Sequence, residues 1–302
     1  MLNFKPTHLL LALMTVVIWG VNFVVLKLAL VEAPPIFLCA LRFIFSVLPV
    51  IFFIKKPKLP WKSIAQYGFF VFAFQFFFLF TGMHFGVSAG LASAVLQIQV
   101  FITIGLSALF LGEKPTLLQI VGACFAFVGM IVVGMHVGTG TDVTWLGLIF
   151  VVLAAFSWGY GNIIAKRLNQ KNALSLVVWG SLFAIFPLLF LSLVLEGPTR
   201  ITSFFESMTW VSVFSVFYQA YASTLIGYGI WSWLLVRYPA SSVAPLTLLV
   251  PIVGMLAAIL VLGESLYMWK VWAIIFILGG LSLNVFSSTL SKILKLRYEI
   301  KK

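Results

Sequence analysis

Few side chains in this 302-residue chain could carry out covalent or metal chemistry. His8, His84 and His136 stand far apart, with no Cys, Asp or Glu at ligand spacing, so no metal site is expected. Cys39 and Cys124 fall inside apolar runs without a CxxC pattern and read as small buried hydrophobes. No GxGxxG, Walker or GxSxG motif occurs, and no cofactor is expected. What remains is a set of amides, aromatic rings and one arginine embedded in apolar sequence: Asn22, Arg42, Gln75, Gln97, Asn162 and Gln219, with Trp19, Trp158, Tyr218, Tyr221, Tyr228 and Trp231. Such groups recognise a molecule by hydrogen bonds, ring faces and fixed charge; they do not transform it.

Each of these residues also has a structural reading. Asn22 and Asn162 lie beside Trp19 and Trp158 and either hydrogen-bond neighbouring helices or face a central cavity. Tyr218, Tyr221, Tyr228 and Trp231 recur at spacings near three, four and seven, which predicts an aromatic face on one helix, for packing or for solute. Gln97 and Gln99 are about 200° apart on an α-helix, so one of them is expected at a cavity. Gln97 is favoured because Ser93 and Phe101 share its face. Arg42 has no carboxylate at its depth and is either a structural clamp or a seat for an anionic group. Lys27, five residues before Glu32, reads as an interfacial side chain with local ion pairing. His84 titrates near neutral pH in principle, but lies near an outer boundary with no partner visible in the sequence. Gly86, Gly90 and Ala94, spaced by four, form a small-residue stripe for close helix contact. Pro245 and Pro251 remove hydrogen bonds to the carbonyls of Ser241 and Thr247, so that stretch is a candidate hinge or a plain kink.

The elements that position these groups are membrane helices. The chain is 63% hydrophobic and only 9% charged, with a mean hydropathy of +1.16. An average soluble domain carries about 25% charged residues. Ten continuous apolar runs fit bilayer-crossing helices, at 8–30, 34–54, 64–84, 88–111, 115–135, 144–165, 173–195, 209–236, 240–262 and 266–288. The runs are not alternating, which excludes a transmembrane β-barrel. The weakest boundary is at 85–88, where merging two runs would leave nine spans.

The chain also repeats itself. Trp19-Gly20-Val21-Asn22 is followed by Lys27 eight residues past the tryptophan, and Trp158-Gly159-Tyr160-Gly161-Asn162 by Lys166 at the same distance. Leu111-Gly112-Glu113 returns as Leu262-Gly263-Glu264, an offset of 151 that Gly129 and Gly280 share. In both places the Gly-Glu pair reads as a helix stop near the interface. Residues 1–140 and 141–302 are therefore expected to form two five-helix halves. An odd number of helices per half inserts the second upside down relative to the first.

The +12 net charge is patterned rather than uniform. With the N-terminus inside, the inner loops and tails hold Lys5, Lys55, Lys56, Lys58, Lys62, Lys114, Lys166, Arg167, Lys171, Arg237, Lys292, Lys295, Arg297, Lys301 and Lys302. By the positive-inside rule both termini are expected in the cytoplasm. The partners this implies are the lipid bilayer and a small-molecule substrate, with no nucleic acid. A monomer suffices for such a function.

Ten spans in two halves, with the Trp-Gly openings and the Leu-Gly-Glu closings, resemble the EamA family of the drug/metabolite transporter superfamily. Val16 to Val25, the Pro34 to Phe43 segment, Ala89 to Ser93 running into Leu96-Gln97-Ile98-Gln99, Gly227 to Trp231, and Val243 to Pro251 are similar to its O-acetylserine/cysteine exporter branch. The resemblance implies an all-α protein of the bacterial inner membrane that exports small neutral amino acids or related metabolites by alternating access. One departure stands out. Many members carry proline where this chain has Val100, so the kink expected in the ninth span lacks an expected equal in the fourth.

No Asp or Glu lies within a span, which argues against proton-coupled efflux of lipophilic cations and for a neutral or zwitterionic solute. A transporter or exchanger of a larger, nucleoside-like metabolite would use the aromatic residues equally well. A membrane receptor or assembly subunit would need neither repeat nor cavity. An intramembrane enzyme would need a polar catalytic cluster that the sequence does not contain.

Overall fold

The computed structural model describes residues 5–138, 143–168, 173–238 and 243–300, the side chains of Leu235, Ala244 and 287–300 excepted. The expectations for Lys171, Lys301, Lys302 and the Ser241 carbonyl fall outside the described residues, as do those for the side chains of Lys292, Lys295 and Arg297. Nine described helices are long and apolar enough to cross a membrane: α1 (Pro6–Ala29), α2 (Pro35–Phe52), α3 (Trp61–His84), α4 (Ala89–Leu111), α5 (Leu117–Met135), α6 (Trp145–Leu168), α7 (Ala173–Leu195), α9 (Pro245–Leu262) and α10 (Met268–Phe286). Between α7 and α9 runs α8, continuous through Trp210–Phe217, Tyr218–Gly227 and Tyr228–Arg237. The fold is all-α, with ten spans in two inverted repeats. Gly86, at φ +107°, turns the chain between α3 and α4 and settles the boundary at 85–88 in favour of ten.

Local chemistry sets the ends of these helices. Prolines stand in the first turns of α1 and α2, where no intrahelical donor is needed. Thr116 and Gln119 form a capping box at the start of α5. Gly112 and Gly263 end α4 and α9 in the left-handed conformation, at φ +67° and +65°.

The packing is two-fold. α5 lies along α10 and α2 along α7, while α1 packs on α9 as α6 packs on α4, and α3 packs on α6 as α1 packs on α8. This pattern is unchanged when α1–α5 are exchanged for α6–α10. The α5–α10 crossing is the closest of these contacts. A methyl on Gly122 would meet the Gly280 carbonyl oxygen at 2.6 Å, and one on Gly129 the Ala273 oxygen at 2.8 Å. The two contacts are repeat mates at the 151-residue offset.

The two ends of the bundle differ. At the end opposite the lysine-rich loops, Glu196 accepts from the backbone N–H groups of Ile36 and Phe37 at 2.7 and 3.0 Å. Glu264 accepts from those of Ala89 and Gly90 at 2.6 and 3.3 Å. Glu32 takes the hydroxyls of Thr209 and Ser212, and these hydrogen bonds hold its carboxyl below the usual carboxylate range. Lys27 donates to the Met83 carbonyl at 2.9 Å, an interfacial placement that ties α1 to α3. Here α4 is sealed against α1 and α9. Every residue from Ala89 to Val95 is buried, and a methyl on Gly254 would lie 2.9 Å from Ser93 Oγ. At the lysine-rich end, α4 instead lies along α6.

Candidate functional site

A cavity of about 380 Å³ runs between the halves from mid-depth toward the lysine-rich end, where Ala173, Ser232 and Thr247 line it. Of the residues singled out in the sequence, Trp19, Asn22, Arg42, Gln75, Gln97, Trp158, Asn162, Tyr228 and Trp231 all line it. They come from helices α1, α2, α3, α4, α6 and α8, so only the assembled bundle brings them together.

Irregular helix geometry points several of them inward. Gln75 directly follows a π-helical turn, Phe69–Phe74, and the repeat-related α8 carries its own π segment, Tyr218–Gly227. Single-turn π segments are rare and concentrate at functional sites. Hydroxyls satisfy carbonyls that the wider turn releases: Ser157 Oγ donates to Phe70 O at 2.9 Å and Thr224 Oγ1 to Gln219 O at 2.8 Å.

In α4, Leu96–Ile98 tightens to a 3-10 turn. With three residues per turn, positions two apart are separated by about 120° the short way round instead of about 160°. Gln97 and Gln99 consequently both line the cavity, correcting the expectation that only one would. The same turn corrects the expectation of an unmatched kink, because α9 has its own 3-10 segment, Ala244–Leu248, at the corresponding depth. Pro245 stands in the first turn of that segment, and Pro251 lies just after the cavity-lining Val250 and cannot donate to the carbonyl of Thr247.

Three expected residues lie elsewhere. Tyr218 donates its hydroxyl to the Ile18 carbonyl at 3.0 Å. Gln219 is wholly buried, and Tyr221 stacks on Phe217 at 5.7 Å. The reason is the π segment. Its longer repeat rotates Tyr218 and Tyr221 off the face that carries Tyr228 and Trp231, whereas their spacing was read with an α-helical period. Tyr67, Phe76, Ser223, Ser232 and Thr247 also line the cavity. Their signal was a polar or aromatic group within an apolar run, too common in this chain to single them out.

Arg42 is 1% exposed. Its Nε and Nη2 donate to Thr224 Oγ1 at 3.2 and 3.0 Å, and its guanidinium lies 4.0 Å from the centre of the Phe76 ring. Nη1 has no partner among the described residues. Asn22 Oδ1 and Gln75 Oε1 are likewise buried and unpartnered. An unmet buried polar group costs about 1–3 kcal/mol, and these three belong to side chains of α1, α2 and α3 that line one cavity. The repeat-related asparagines differ: Asn162 Nδ2 donates to Gln99 Oε1 at 2.9 Å and Thr103 Oγ1 at 3.1 Å. Trp19 Nε1 donates to the Ser223 carbonyl at 3.0 Å, and its ring borders Tyr228 and Trp231.

Ten apolar helices in inverted repeats, with a cavity between the halves lined by rings, amides and one arginine, are the architecture of a membrane transporter. The chain belongs to the EamA-like transporter family, whose model matches residues 7–135 and 145–286. A protein of Salmonella typhimurium named a probable amino-acid metabolite efflux pump is 41% identical, over 91% of this chain and 94% of that one. A protein of Escherichia coli with the same name is 40% identical, over 94% and 97%. A crystal structure with 16% identity superposes at a TM-score of 0.58, covering 93% of this chain and 97% of that one, a likeness of fold.

Proposed function

We propose that this transporter exports small neutral amino acids and related metabolites across the bacterial inner membrane by alternating access, with cysteine and O-acetylserine as the first class to test. The single observation that carries this reading is the chemistry of the polar side chains that line the cavity. Arg42 brings a guanidinium, whereas Asn22 and Gln75 bring amides whose oxygens accept. The first complements a carboxylate and the others an ammonium, the two ends of an α-amino acid. Trp19, Tyr228 and Trp231 supply apolar ring surface for a small side chain. The names of the Salmonella and Escherichia coli relatives agree with this class.

The basic loops orient the chain with both termini in the cytoplasm, so the cavity opens inward, and the division into halves falls near residue 140. The 3-10 segments in α4 and α9, with Pro245 and Pro251, are the hinges. The test is counterflow in proteoliposomes loaded with unlabelled cysteine. Labelled cysteine should accumulate above empty liposomes and be displaced by O-acetylserine and small neutral amino acids, but not by decarboxylated amines. Absence of uptake above empty liposomes rejects the assignment, and displacement by nucleosides alone replaces it with the larger-metabolite reading.

A further inference from the structure

Glu113 and Glu264 occupy the same station in the two repeats, each following a left-handed glycine at a helix end, yet they have different partners. Glu264 takes the first backbone N–H groups of α4, at Ala89 and Gly90. Glu113 is half-exposed and forms a salt bridge with Lys166. The repeat mate of Lys166 is Lys27, each eight residues past its tryptophan. Lys27 and Glu264 line one second cavity, of about 510 Å³, at the closed end of the bundle. There the lysine donates to the Met83 carbonyl while the carboxylate holds α4. The open end thus shows glutamate on lysine, and the closed end shows glutamate on a helix N-terminus.

We propose that Glu264 is the latch of the outer gate: it passes from the α4 amides when the gate is shut to Lys27 when it opens. Glu113 with Lys166 is the repeat-related set at the inner gate. This rests on the alternating-access reading, in which the two repeats exchange conformations, so that each end adopts both arrangements in turn. The physics suits a latch. A carboxylate gains charge-assisted hydrogen bonds and the helix dipole in one position, and an ion pair near the membrane surface in the other.

Two single substitutions separate the arrangements. Ala89→Pro removes the closer amide donor while leaving both charges; proline is tolerated in a first helical turn, and Ser88 before it is already extended (ψ 154°). Lys27→Gln removes only the open-gate partner. Spin labels at Phe85→Cys and Leu266→Cys, both exposed and on the α3–α4 and α9–α10 turns that the latch joins, report the gate by their distance distribution in the full chain, with Cys39→Ala and Cys124→Ser as background. Ala89→Pro should raise the ratio of long to short distances by about fivefold, and Lys27→Gln should lower it. Unfolding temperatures near that of the parent establish that each variant is folded. If Ala89→Pro does not fold, Lys27→Gln decides alone. A shift of both variants in one direction, or no shift in Lys27→Gln, overturns the latch. The distances need no substrate, so this failure is distinct from failure of wild-type counterflow, which would strike the transport reading itself.

Discussion

Arg42 is the residue whose cost is hardest to explain by packing, since its Nη1 is buried without a partner while its other nitrogens grip Thr224. Both Arg42→Lys and Arg42→Gln should remain folded, because Phe43, Phe76 and the neighbouring helices keep their contacts. Arg42→Gln should lower counterflow by at least about tenfold, equivalent to about 1.4 kcal/mol of binding, and Arg42→Lys by less because it keeps the charge. Loss of the folded protein in both would identify a structural clamp instead. The paired asparagines make a sharper test. Asn22→Ala should reduce transport at unchanged Tm, since its Oδ1 has no partner to lose. Asn162→Ala breaks two interhelical hydrogen bonds and should lower Tm, such bonds contributing about 0.6 kcal/mol on average. At this scale the sequence was informative about type: an amide, an arginine or a Trp or Tyr ring inside an apolar run stands out, and nine of the twelve side chains singled out meet at one cavity. It was silent on which of two equivalent asparagines is already satisfied, because that depends on Gln99 and Thr103 across a helix interface.

Among the elements, apolar length and end signals made the spans legible to within a few residues, because lipid obliges each crossing segment to satisfy its own backbone. The interruptions were not legible. Neither the π turns in α3 and α8 nor the 3-10 turns in α4 and α9 has a residue signature that separates it from ordinary α-helix, and proline marks only α9. That is why Tyr218 and Tyr221 were expected on the cavity face and Gln99 off it. Close helix crossings are legible only once the partner is known. A methyl on Gly280 would fall 2.2 Å from the Gly122 carbonyl oxygen, whereas one on Gly279 would come no nearer than 3.9 Å to Phe125. Gly280→Ala should therefore cost about 1–3 kcal/mol and lower the detergent melting temperature, with Gly279→Ala close to wild type.

The whole molecule is a bundle tied at one end by three carboxylates and open at the other. Hydroxyls from Ser212 and Thr209 depress the Glu32 pKa, so its contribution is present above the ordinary glutamate pKa and lost as pH falls through the depressed value. In an acid melting series the wild-type Tm should fall toward that of Glu32→Gln as the carboxylate protonates, the difference being largest near neutrality. A constant gap would show that Glu32 adds nothing through its charge. Orientation is tested by tags at each terminus, which should both resist protease in intact spheroplasts and be cleaved after lysis. Composition, the length of the apolar runs and the 151-residue offset determined by themselves that this is a ten-span membrane protein built as an inverted repeat, because partition into lipid depends on local sequence alone. Which groups share the cavity, which end is shut, and that Glu264 and Glu113 do different work were decided only in the tertiary structure. Two copies of nearly the same helix arrangement are hard to tell apart along the chain, and only their packing against each other makes one end closed and the other open.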